Sequence, residues 1–221
     1  VPDVVAAIES DLEAGSVGVA LEPAVSIASE RSSTIGDQSA GAIPTALITA
    51  AACLTAVTVA VGGRAQAEDA LQAGATGIMV HPTVDAGLRA VAADRGGRLW
   101  LTGITDPPAA GPPGERLIIE CDVVDVPSLA RQLDSRRSPI ASARIACSLP
   151  RAASVGDGVL EALVTLALAG GATVLRCAGA AGRAGSSDVR IARRCADVAM
   201  ELLCSGVGLG DVKPGGQGLA S

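Results

Sequence analysis

The stretch Ala65–Val80, AQAEDALQAGATGIMV, decides the fold. Ala65 to Ala73 is built of helix formers, and Gly74 stops the run as a C-terminal glycine does. Thr76 to Val80 then reads as a short apolar strand. The same joint returns at Leu166–Leu175, LALAGGATVL, again a helix end, a glycine stop and a strand. Such helix-to-strand joints are what a parallel sheet with helical crossovers requires.

Working outward, the alternation continues along the chain. Strands are expected at Val17–Leu21, Ala56–Val61, Thr76–Val80, Leu99–Ile104, Leu117–Cys121, Ala143–Cys147 and Ala172–Cys177. Helices are expected at Val4–Leu12, Ala42–Cys53, Ala65–Ala73, Val84–Ala93, Pro127–Leu133, Val159–Ala169 and Asp188–Cys204. Glu22 to Gly41 reads as a long polar loop. Thr105–Glu115, TDPPAAGPPGE, carries four prolines and cannot be a helix. Seven strands at even spacing favour a parallel (β/α) barrel of the TIM type over an open doubly wound sheet. No GxGxxG follows the first strand, which argues against a dinucleotide fold. The expected organisation is one domain over 1–205 and a Gly-rich mobile tail over 206–221.

Composition bounds the function. The chain has 221 residues, 49% of them apolar, enough for one packed core. That core contains no Phe or Tyr and must be assembled from Ala, Val, Leu and Ile. The net charge is −6, without a basic stripe, and a single Trp offers no base-stacking platform, so nucleic acid is set aside. No apolar run spans a membrane, roughly 20 residues. The N-terminus has no basic region followed by an apolar stretch, so no secretory signal is read and a cytoplasmic location is expected. Cys53, Cys121, Cys147, Cys177, Cys195 and Cys204 form no CxxC pair and are expected as reduced thiols.

In a parallel barrel, ligands sit at the C-terminal ends of the strands. Arg151 follows one strand and Arg176 ends the last. The glycine-rich loop Gly179–Ser187 leads into a helix that Ser186 or Ser187 can cap. Two arginines and a helix N-terminus point to an anion site. The bland alternative is that both arginines are solvated rim charges. The acid–base candidates are Glu22, Glu120 and Asp122, the last two on one face of the strand in IIECD. His81 is the only histidine, so no His-based pair exists. If Glu120 and Arg176 face the barrel interior, strand alternation turns Cys121 and Cys177 toward the helices, and no metal or other cofactor is expected.

Three segments carry a family resemblance. Val155–Arg176, VGDGVLEALVTLALAGGATVLR, followed by DVRIARRCADVAMELL at 188–203, resembles the end of dihydropteroate synthase. AEDALQAGATGIMV with GLRAVAADRGGRLWLTG looks like that family's third to fifth strands, and VVAAIESDLEAGSVGVALE like its first helix and second strand. The resemblance implies a barrel that joins a pterin pyrophosphate to p-aminobenzoate, and a homodimer. It also implies losses. The family's first strand and its metal-binding Asn have no counterpart before Val1, and the proline loop replaces a helix. The family's pterin-binding acids and amide fall near Ala20, Ala60, Met79 and Val80, and the next acid falls near Glu120. Its lysine falls near Arg151, its last-strand Arg matches Arg176, and its His falls near Ala178.

The expectation is therefore an incomplete barrel related to dihydropteroate synthase and lacking synthase activity. It would act through a protein partner or bind a phosphate-containing metabolite. The alternatives are an active barrel enzyme on a phosphorylated small molecule, with Glu120 or Asp122 as acid–base groups, and a structural subunit of a complete homologue. Part of the middle also looks like small aldolase barrels, whose lysine nucleophile has no counterpart, since Lys213 lies in the tail.

Overall fold

A computed structural model describes residues 2–23, 42–81, 86–103, 115–122, 144–149, 152–177 and 186–204. Seven strands lie within them: β1 (Gly18–Leu21), β2 (Ala56–Ala60), β3 (Gly77–Val80), β4 (Arg98–Leu101), β5 (Arg116–Asp122), β6 (Arg144–Leu149) and β7 (Ala172–Cys177). They form one sheet in sequence order, every neighbouring pair parallel. The described helices are α1 (Pro2–Glu13), α2 (Thr45–Ala52), α3 (Arg64–Gln72), α4 (Ala86–Asp94), α5 (Ala152–Val155), α6 (Asp157–Ala169) and α7 (Ser186–Cys204). The architecture is an incomplete parallel α/β barrel of the TIM type.

Each expected strand is present, with ends moved by a few residues. The strand expected to Ile104 ends at Leu101, because Gly103 takes a left-handed φ of 65° that an extended strand cannot hold. Gly156, at φ 83°, separates the unanticipated single-turn α5 from α6. Asp157 then opens α6, two residues before the expected start, where its charge suits the positive helix end. The helix expected at Pro127–Leu133 and the tail from 205 lie outside the described residues.

Strand alternation sorts the core into layers. Outward residues Val57, Ile78, Leu99 and Ile119 pack with Ile8, Ile48, Ala67, Leu88 and Val91 of the first four helices. On the other side Cys121, Cys147 and Leu149 pack with Leu160, Leu163 and Val164 of α6 and Ala192 and Cys195 of α7. A fully buried Leu such as Leu99 contributes about 1.5–3 kcal/mol. Inside the barrel Met79, Trp100, Ile118 and Ala146 form a third cluster, with Ala60 and Val174 against it. Arg89 of α4 holds Glu115, just before β5, with two charge-assisted hydrogen bonds of 2.7 Å.

Among the described residues β7 and β1 share no backbone pairing, so they are the two edges of the described sheet. Burial fades toward both. Outward Val57, Ile78, Leu99 and Cys147 are all 0% exposed, whereas the outward Val19 of β1 and Leu175 of β7 are only partly buried. α1 packs Ile8 and Leu12 into the same core cluster as Val19 and Leu21 of β1 and contacts both α2 and α7.

α1 also carries an unsatisfied group. Asp11 Oδ1 is buried with no hydrogen-bond partner among the described residues. Burial raises this carboxyl's pKa above its ordinary 3.8. The folded state then holds the proton to higher pH than the unfolded chain, so stability falls as pH rises through that window. The penalty is full above the folded pKa and absent below the ordinary value. Asp11→Asn is therefore expected to raise the unfolding free energy at neutral pH, with the gain vanishing in strong acid. Urea titrations of both proteins across pH check this.

Candidate functional site

The C-terminal ends of the strands bring together four side chains from four strand ends. Glu120, two residues before the end of β5, faces the interior, with a side chain that is 0% exposed. The indole Nε1 of Trp100, on β4, donates to its Oε2 at 2.6 Å. Arg176, near the end of β7, donates from Nε to Oε1 at 2.8 Å, and its Nη2 lies 2.6 Å from the same oxygen. Arg176 Nη1 donates to Glu22 Oε1 at 2.5 Å, just past β1 and across the gap between the sheet's edges.

The electrostatics follow from this pairing. Burial works against the Arg176 charge, but the fields of Glu120 and Glu22 and hydrogen bonds to both outweigh it, so its pKa is raised. One guanidinium between two carboxylates leaves the group with a net charge of −1. Glu22, 49% exposed, is the partner that water can reach. Both oxygens of Glu120 are already committed, which leaves this carboxylate poorly placed to take a proton from a substrate.

The sequence-derived candidates fare differently. Glu120 and Arg176 come together, as a tight ion pair. Asp122 ends β5 in register with Ser148. Ser186 opens α7 and Ser187 is the next residue of that helix. Arg151 lies outside the described residues, as does most of the loop before α7. Asp188, in the first turn of α7, is 5% exposed and puts the helix's own carboxylate at its positive end. Sequence reading missed this acid, although its place beside two capping serines was the available signal. It also missed Trp100, whose donor role only the curvature of the sheet reveals. His81, just after β3, is exposed, and its imidazole occupies the space where a side chain at Gly103 would stand.

The cysteines take the orientation that alternation dictates. Cys121 and Cys147 stand in register on β5 and β6, both turned to the helices and 0% exposed. A hydrogen bond with Cys121, then burial, pushes the Cys147 thiol up. Burial, then Asp188 and Asp11, pushes Cys177 up to about 11. These groups stay protonated thiols at neutral pH. Among the described residues no group of three or more His, Cys, Asp or Glu is arranged to hold a metal, and no helix is long and apolar enough to cross a membrane.

No protein-family model and no curated protein matches the chain. Solved structures do. The chain is similar to the dihydropteroate synthase of Thermus thermophilus, with TM-score 0.64 and 15% identity over 91% of this chain and 90% of that one. It is similar to the Coxiella burnetii dihydropteroate synthase solved with pteroic acid, with TM-score 0.61 and 14% identity over 91% and 85%. The Yersinia pestis enzyme solved with a pterine-sulfa conjugate gives TM-score 0.59 and 14% identity over 89% and 86%. At such identity the likeness is one of fold: this chain has a dihydropteroate-synthase-like barrel.

Proposed function

We propose that this chain is a dihydropteroate-synthase-like barrel that has lost synthase activity and works by binding a protein partner. One observation supports the loss of synthase activity. The interior carboxylate at the barrel mouth, Glu120, is saturated by Trp100 and Arg176. Among the described residues, the last positions of β2 and β3 offer no replacement. Ala60 and Met79 pack into the interior cluster, and Val80 is turned into the helix-facing core. A pterin ring presents a fork of N–H donors, and each donor buried without an acceptor costs about 1–3 kcal/mol. Binding it here would also break the Glu120 pairings.

The test is incubation with hydroxymethyl-dihydropterin pyrophosphate and p-aminobenzoate, followed for pyrophosphate release, with a calorimetric titration alongside. The expected result is no release above the blank and no binding that depends on the pterin. Turnover, or pterin-dependent binding tighter than that of plain pyrophosphate, would overturn the reading.

A second reading, an anion held at Arg176, is favoured by one feature: the guanidinium stands at the end of β7, with its side chain 21% exposed. An anion must first displace Glu22. Glu22→Gln is therefore expected to strengthen pyrophosphate binding severalfold, on the scale of a half-exposed ion pair, up to ~1 kcal/mol. The same calorimetry reads the difference. Unchanged weak binding in both proteins would remove Arg176 as an anion ligand.

A further inference from the structure

β4, β5 and β6 each open on an arginine followed by an aliphatic residue: RLWL from Arg98, RLII from Arg116 and RIAC from Arg144. Leu99 and Leu117 belong to the helix-facing core, and Ile145 packs against the part of it under α6 and α7. The residues after these, Trp100, Ile118 and Ala146, form the interior cluster. Alternation therefore sends Arg98, Arg116 and Arg144 to the interior side, below that cluster, at the N-terminal end of the barrel. Gly77 shows the same side for Arg98, since a Cβ in its place would stand 3.3 Å from the Arg98 Cβ and 3.4 Å from Thr58 Oγ1.

Register brings the three together. Arg98 and Arg116 are direct partners on neighbouring strands, about 4.8 Å apart. Arg144 is level with Ile118, one strand further on and roughly 6.6 Å along the strand direction from Arg116. All three are exposed, and none has an ion pair or a side-chain hydrogen bond among the described residues. Like charges side by side on a sheet repel. The adjoining acids do not offset them: Glu115 is held by Arg89 of α4, and Asp94 is followed by Arg95. Residues 104–114 and 123–143, which precede β5 and β6, carry the acids Asp106, Asp125 and Asp134 and the arginines Arg131, Arg136 and Arg137, so they add no net charge. In a chain of net charge −6, such a layer of cations is an arrangement that folding alone does not favour.

We propose that the N-terminal mouth of the barrel binds a small anion carrying two or more phosphate groups, held by Arg98, Arg116 and Arg144. A guanidinium fork matches phosphate oxygens in pairs, and three forks on neighbouring strands suit a ligand with several such groups better than a single phosphate. A bound anion would also relieve the repulsion between Arg98 and Arg116. The site is separate from Arg176, which stands near the end of β7 at the opposite mouth, beyond the Trp100 cluster. It goes beyond the partner reading and does not depend on it.

The experiment is phenylglyoxal labelling of arginines in the full chain, read residue by residue by mass spectrometry, with and without inorganic triphosphate. Inorganic phosphate at matched ionic strength is the comparison. The expected result is labelling of Arg98, Arg116 and Arg144 in the free chain, slowed about tenfold by triphosphate and less than about twofold by phosphate. Arg190, exposed on α7, should not respond. Calorimetry gives a second readout. Arg98→Gln/Arg116→Gln should weaken triphosphate binding by about tenfold or more, with the fold kept by circular dichroism because both positions are exposed. Arg64→Gln/Arg190→Gln removes the same charge from exposed helix positions and should weaken it less than about twofold. Three outcomes would overturn the proposal. The first is failure of the three arginines to label in the free chain, which would mean that the chain's own residues cover them. The second is no protection by triphosphate, or protection that Arg190 shares. The third is equal loss of binding in the two doubles, which would mean attraction by overall charge and no site.

Discussion

Arg176→Leu is expected to destabilise the fold by about 3–5 kcal/mol, the cost of stripping one partner from a buried ion pair. Glu120 has a side chain with no exposure, and without the guanidinium only the Trp100 indole would face its charge. Glu120→Leu should cost less, because Arg176 is 21% exposed and keeps Glu22. The double replacement Glu120→Leu/Arg176→Leu should lie closer to the parent than Arg176→Leu does, since well-packed apolar pairs often replace buried ion pairs at little cost. Urea unfolding of the parent, the singles and the double gives the coupling energy directly. Equal loss in Arg176→Leu and the double would mean that packing of the arginine stem, not the buried charge, dominates.

Trp100→Ala is expected to cost a similar 3–5 kcal/mol, by order of magnitude about the loss of any large buried aromatic, but by a different route. Trp100 is the chain's only aromatic residue and the largest member of the interior cluster. Its neighbours there, Met79, Ile118, Ala146 and Val174, are aliphatic and anchored on strands whose backbones are paired, so they cannot close the space. Trp100→Phe separates shape from hydrogen bonding. It keeps most of the ring and strips Glu120 Oε2 of its donor, at about 1–3 kcal/mol. Because no other fluorophore exists, far-UV circular dichroism must follow unfolding in both variants. The losses at Trp100 and Arg176 should not add, since both residues serve Glu120. A loss below about 1 kcal/mol in Trp100→Ala would show that the barrel interior is not tightly packed around the indole.

The barrel was legible because its signals are local. Each strand is a short apolar run, and stops such as Gly74 and Gly170 fall where helices must hand over to strands. Alternation within a strand was legible too, which is why Cys121 and Cys177 turn to the helices as expected. What the sequence cannot carry is the stagger between strands. Glu120 and Arg176 are 56 positions apart with β6 between them, and their meeting depends on the sheet's tilt and curl. Trp100 sits among leucines in RLWL and reads as one more core residue. Two features read as an open anion site, Arg176 and the start of α7, each already face a carboxylate of the chain itself, and only the folded chain sets those charges side by side.

The contact between Arg176 and Glu22 joins residues 154 positions apart, while the sheet itself pairs only neighbours in sequence. Strand pairs of that kind can form progressively from either end. A contact closing so long a loop must wait until most of the wall is standing. It therefore belongs to the final step of folding and contributes little to the transition state. Weakening it is expected to leave the folding rate nearly unchanged and to speed unfolding instead, by no more than the ~1 kcal/mol that a half-exposed ion pair contributes.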